Sequence, residues 1–173
     1  HNIVPLSLLL SDVQNDLKTY RALLGERDPL VLQRTLQMAR LVAFVPQRFA
    51  GKLKQATEMT DEADFGDAFG AQSRLESLHV RLAELTTEAE GFAERAREFN
   101  KHVVGTNAPA IEADAEKLRT ERRELAEQAR HLDSALTKVR NDLRIAADVA
   151  LARANDEERA NLYALMALSG LAI

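Results

Sequence analysis

Apolar residues recur along this chain at alternating intervals of three and four, in four separate series. The first is Leu6, Leu10, Val13, Leu17, Tyr20 and Leu24; the second holds Leu32, Leu36, Ala39, Phe49, Leu53 and Ala56, with a gap between Ala39 and Phe49. The third is unbroken: Ala68, Ala71, Leu75, Leu78, Leu82, Leu85, Ala89, Phe92, Ala96, Phe99 and Val103. The fourth steps through Ile111, Ala115, Leu118, Leu125, Ala129, Leu132, Leu136, Val139, Leu143, Ala146 and Ala150, interrupted only by Arg122. Such a heptad seam lets a helix bury one narrow stripe along a neighbour while its other faces stay wet. The pattern predicts an all-α fold, an elongated antiparallel helical bundle forming a single domain over residues 1–173. Its helices fall at about 5–24, 29–59, 68–104 and 108–168.

The punctuation between the series supports these boundaries. Pro5 is tolerated in a first turn. Gly25 offers a left-handed stop, Asp28 an N-cap and Pro29 a first helical residue, so Gly-Glu-Arg-Asp-Pro reads as a reversal. Pro46 lies inside the second helix and removes a backbone donor, which predicts a kink or break. Just before it, Leu41-Val42-Ala43-Phe44-Val45 is apolar all round, expected either deep in the core or in a subunit contact. Gly105 ends the third helix, and Asn107 and Pro109 cap and open the fourth, with Glu112, Asp114 and Glu116 near its positive end. The tight Gly105-Thr106-Asn107 link folds the last two helices into an antiparallel hairpin about residue 106. Some fifty residues at about 1.5 Å each make the last helix a rod of roughly 75 Å that overhangs its partner. Four helices are favoured by the stop and start at Gly25 and Asp28-Pro29; the alternative is three rods, the first of them bent.

Composition agrees with long helices: 46% hydrophobic and 29% charged residues, with 7 Gly and 4 Pro. The net charge of −4 makes nucleic acid a poor partner, because phosphate binding needs a basic face. Cysteine is absent, which excludes disulfides and thiolate chemistry. Both ends are uncharged, over residues 2–10 and 160–173. Each is shorter than the roughly 20 apolar residues a bilayer requires. The segment ANLYALMALSGLAI at the end reads as the start of a spanning helix, or else as a hydrophobic helix end used in packing or oligomerisation.

Chemistry is sparse. His1, His79, His102 and His131 show neither zinc-ligand spacing nor an H-E-x-x-H arrangement, and His79 and His131 sit beside seam leucines. Asp61, Glu62, Asp64 and Asp67 lack the spacing of a calcium loop and suit the positive end of the following helix. No phosphate loop, nucleophile elbow or paired-carboxylate motif occurs, so the expectation is no enzyme, with no catalytic, cofactor or metal residues. Arg122, with the hairpin folded at 106, falls opposite Glu88, Glu90 and Glu94. It reads as an outward-reaching arginine paired with one of them, the sharper alternative being a cation that awaits an anionic ligand. Arg40 and Arg48 are expected in solvent.

An elongated bundle with uncharged ends, its last helix entering a Leu-Tyr-Ala-Leu-Met-Ala-Leu run, resembles the extracytoplasmic sensor region of a bacterial transmembrane receptor. Helical input domains of membrane-bound sensor histidine kinases are the nearest likeness, and chemoreceptor ligand-binding bundles the next. The segment from Glu26 to Arg40 (ERDPLVLQRTLQMAR) is similar in style to such kinase sensor regions. Leu78-His79-Val80-Arg81 lacks the pattern of a phosphoacceptor helix, so the resemblance extends to an input domain alone. It implies a periplasmic, membrane-anchored homodimer that passes a stimulus inward by small helix movements to a cytoplasmic output domain. Two other classes remain: a soluble coiled-coil scaffold or adaptor, and a helical membrane-inserting protein.

Overall fold

A computed structural model of the chain describes residues 3–26, 28–38, 44–61 and 72–170. Among the described residues there are six helices and no strand: α1 (Ile3–Leu24), α2 (Pro29–Met38), α3 (Val45–Asp61), α4 (Gln72–Gly105), α5 (Ala108–Ala113) and α6 (Ala115–Gly170). The all-helical reading holds. At 56 residues, α6 is a rod of about 84 Å.

The long helices pack in pairs. Both α1 and α4 lie against α3 and α6, while the short α2 rests mainly on α4 and α5. Numbering runs in opposite senses within each long pair. Asp16 of α1 meets Arg48 and Lys52 of α3, and Gln14 of α1 meets Asp133 and Thr137 of α6. Thr57 of α3 meets Thr86 of α4, and Glu88 of α4 meets His131 of α6. The seams supply one continuous core. Leu6, Leu10, Val13, Leu17, Tyr20 and Leu24 are all buried, as are Leu78, Leu82, Leu85, Ala89, Phe92, Ala96, Phe99 and Val103. On the last series, Ile111 and Leu118 are buried, and so is every residue from Leu125 to Leu143, whereas Ala115 and Ala146 are half-buried. Ala39, Ala68 and Ala71 lie outside the described residues.

An aromatic layer ties three of the helices together. Phe92 of α4 meets Tyr20 of α1 edge-on at a centroid distance of 5.8 Å and Phe49 of α3 at 6.3 Å. Such T-shaped contacts bring a positive ring edge to a negative face. Within this layer the Tyr20 hydroxyl donates to Asn100 Oδ1 at 2.9 Å. Burial pushes the Tyr20 phenol well above its ordinary pKa, since a phenolate there would lose its water.

Several local expectations are met or corrected. The break expected at Pro46 is present, α2 and α3 being separate helices, and Pro46 sits in the first turn of α3, where its missing N–H has no helical acceptor to lose. Of the apolar run, Val45 is buried and Phe44 is 65% exposed; residues 41–43 and Arg40 lie outside the described residues. Glu62, Asp64 and Asp67 lie outside them too. The last helix breaks at Asp114, although Asp114 N donates to Ala110 O and Leu118 N to Asp114 O, carrying the hydrogen-bond ladder across. The α4–α6 reversal therefore turns through α5 and is centred later than residue 106: Glu88 faces His131 at 3.3 Å, some turns beyond the level a fold at 106 requires. Neither Gly25 nor Gly105 adopts left-handed backbone, and Gly105 closes α4 from inside the helix. The caps at the starts are as expected. Asp28 Oδ1 accepts from Leu30 N at 2.8 Å, and Asn107 Oδ1 accepts from Ala110 N at 3.0 Å.

Two helix ends in this region are closed by side chains from other helices. Arg122 Nη1 donates to the carbonyls of Leu24 and Glu26, each at 2.8 Å, and Gln33 Nε2 donates to those of Val103 and Thr106. Carbonyls at a helix C-terminus have no intrahelical donor, so such bonds fill a structural need. Arg122 is thus turned inward to α1, away from Glu88, Glu90 and Glu94.

Candidate functional site

The polar seam position at 122 lies where α4 and α6 approach their reversal. Heptad spacing puts Phe99 of α4 and Leu125 of α6 in the core, each 4% exposed. The residues flanking those two on the helix surface, three and four positions away, must then face one another across the edge of the seam. They enclose a cleft of about 650 Å³, floored by Phe99 and Leu125. Glu94, Arg95, Glu98, Lys101 and His102 form the α4 wall; Glu121, Glu124 and Gln128 form the α6 wall.

The charges of the two walls do not meet. Glu94 and Glu98 are taken up by Arg97 on their own helix, at 2.5 and 3.9 Å, and Glu121 lies 3.9 Å from Lys117 on α6. Among the described residues Arg95, Lys101 and Glu124 make no ion pair. Two polar atoms, one on each wall, are buried without a hydrogen-bond partner: His102 Nε2 and Gln128 Oε1. The nearest carboxylate to the first is Asp114 Oδ2, 3.9 Å away. Both atoms are closed to solvent, as is a third of the same kind, Gln47 Oε1 on α3, so they belong to the packed side of the helix pair.

A smaller cleft of about 300 Å³ farther along the same two helices behaves differently. There Arg81 pairs with Asp142 and Glu88 with His131, joining the walls. Charged flanks on this helix pair are therefore able to close. Near the reversal they stay apart.

No family model, curated protein or solved structure matches the chain. The cleft must be read from its own chemistry. It presents unpaired cations on one wall, an unpaired carboxylate on the other and an apolar floor, an arrangement suited to binding a small polar molecule. Among the described residues no group of His, Asp and Glu is arranged to hold a metal ion.

The residues singled out from sequence are dispersed. His79 Nδ1 lies 3.0 Å from Thr60 Oγ1, His131 pairs with Glu88, and His1 lies outside the described residues. Arg48, expected in solvent, donates through Nε to Asp16 Oδ2 at 3.0 Å; that hydrogen bond and charge raise the arginine's pKa further. The cleft itself was missed. Its signal was present as two charged stripes, 95/98/102 and 121/124/128, but matching them requires the α4–α6 register that α5 sets.

Proposed function

We propose that the chain is an antiparallel four-rod bundle, α1, α3, α4 and α6, that acts as the stimulus-receiving input domain of a transmembrane signalling receptor. In this reading a stimulus met on the extracytoplasmic side shifts α6, and the shift passes to an output domain across the membrane. The supporting observation is the double role of α6. One stretch of it supplies Glu121, Glu124 and Gln128 to the cleft, and the same unbroken helix runs on to Gly170. Because Arg81 lies level with Asp142, α6 runs on for about 20 residues, or roughly 30 Å, past the level of Gln72, the first described residue of α4. On that extension Asn155, Asp156, Glu158 and Arg159 are exposed, and residues 160–170 carry no charge. Among the described residues no helix is long and apolar enough to cross a membrane by itself. A stiff helix moves as a unit, and interdigitated seams favour a few discrete packings, so displacement at the cleft reaches the far end undiminished. A second copy pairing alongside α6 completes the proposed receptor as a homodimer.

These 173 residues lack cysteine, so once any cysteine elsewhere in the gene product is replaced, single cysteines report cleanly. They are placed at Asn155, Glu158, Leu162, Met166 and Leu168 in the full gene product and probed in intact cells with a membrane-impermeant maleimide. Labelling at Asn155 and Glu158 that fades through Leu162 to Leu168 is expected. Uniform labelling along the series, or full-length protein recovered without membranes, overturns the reading.

A further inference from the structure

We infer that α1 is the hinge of the bundle: α6 pivots on it as a stiff rod, and the α4–α6 face is the one that opens. The apolar seam of α6 packs toward both neighbours, so the polar groups beside it decide which face holds. Toward α1 they form a connected row. Arg122 reaches the carbonyls of Leu24 and Glu26, Arg21 reaches Asp133, and Gln14 joins Asp133, Thr137 and Arg140. These groups run along α6 from Arg122 to Arg140, about 27 Å of helix. Gln14 is buried, and the Asp133 side chain is 19% exposed. Parting α1 from α6 strips several groups of their partners at once, and a network of this kind resists piecemeal loss.

Toward α4 the ties are of another kind. Arg81 with Asp142 and Glu88 with His131 join side chains that all reach solvent, where an ion pair contributes little. Clefts of about 650 and 300 Å³ lie along this face. His102 Nε2 and Gln128 Oε1, one on each helix, are closed to solvent and unpartnered, so opening the face hydrates both and returns a hydrogen bond to each. Meanwhile α1 is bound to the other two rods. Asp16 takes Arg48 and Lys52 of α3, and Tyr20 meets the Phe92 ring and the Asn100 side chain of α4. The bundle thus divides into a fixed trio, α1, α3 and α4, and a rod hung on the α1 edge. Because α5 tethers α6 to α4 at the reversal, the opening grows with distance from it. Hinged movement of a rigid element is an established way for a packed fold to switch. The pivot supplies the input-domain reading with a moving part, yet it stands on the packing alone, wherever the chain lies relative to a membrane.

Spin labels test it on the 173-residue chain, which contains no cysteine. Lys18 on α1, Thr87 on α4 and Ser134 on α6 are exposed at about one level of the bundle. Cysteines replace them in two pairs, 18 with 134 and 87 with 134, and distance distributions are read by double electron–electron resonance. In urea below the unfolding transition, the 87–134 pair should gain a second component longer by about 5 Å, half the spacing of packed helices, while the 18–134 pair keeps one narrow component. Gln128→Leu, which takes an unpartnered acceptor off the opening face, should shrink the longer component about threefold, the worth of one hydrogen bond. Two pairs that broaden together overturn the inference, as does a longer component appearing first between 18 and 134. So does an 87–134 distribution that stays single up to global unfolding. None of these outcomes bears on the maleimide labelling of α6, so the two readings fail independently.

Discussion

One helix, α6, shows two faces that use the same residue types to opposite ends. Toward α1 it is stitched. Gln14 Nε2 donates to Asp133 Oδ1 at 3.1 Å and Thr137 Oγ1 at 3.2 Å, Gln14 Oε1 accepts from Arg140, and Arg21 reaches Asp133 at 2.5 Å. Toward α4 it is joined farther along, by His131 to Glu88 and Asp142 to Arg81, but near the reversal Gln128 Oε1 has no partner and Glu124 no counter-ion among the described residues. Charged and amide side chains alone therefore say little about a site. What separates the two faces is whether those groups meet one another or are held open.

The firmest region should respond most to damage. Phe92→Ala removes the ring shared by Tyr20 and Phe49 and leaves a cavity that three helices border. A loss of about 3–5 kcal/mol is expected in urea unfolding, enough to threaten the folded state. If the cost falls below about 1 kcal/mol, the aromatic layer is not the core it is taken for here.

Next in size is Arg122. Cutting it to alanine leaves the carbonyls of Leu24 and Glu26 without their donor, at a cost of about 1–3 kcal/mol. An arginine that only reached into solvent or toward an exposed glutamate would cost well under 1 kcal/mol to remove, so thermal denaturation separates the two roles.

Arg122 also shows how far the sequence could be read. Heptad spacing predicted nearly every core residue, because burying a stripe against a neighbour demands it whatever the neighbour is. Asp28 and Asn107 were readable as caps because their partners lie two or three residues away. The partner of Arg122 lies 98 residues away, on a helix whose register depends on α5. A six-residue helix, with a break that keeps its hydrogen-bond ladder, leaves no mark in a heptad pattern. The cleft depends on that same register, which no local pattern carries.

Alkaline pH tests the buried Tyr20. Burial raises its pKa in the folded state above the unfolded value of about 10, so the unfolded chain loses the proton first. The stability tied to this group is complete below pH of about 10 and is lost above it, by about 1.4 kcal/mol per pH unit. Tyr20→Phe should be the less stable protein at neutral pH, by about 1 kcal/mol for the missing bond to Asn100, yet fall less steeply above pH of about 10. Parallel stability curves for the two proteins would show that the phenol is not shielded from water.

The smallest effect is the most telling, because one substitution made on the two faces of α6 should change sign. Gln14→Leu strips Asp133 and Arg140 of a partner they already have and is expected to destabilise by about 1–2 kcal/mol. Gln128→Leu removes an acceptor that is buried and unsatisfied, replacing a desolvation cost with an apolar side chain beside Leu125. It should leave the fold unharmed or stabilise it by up to about 1 kcal/mol. Equal losses of stability from the two substitutions would mean that Gln128 is part of the packing after all, and the contrast between the faces would disappear.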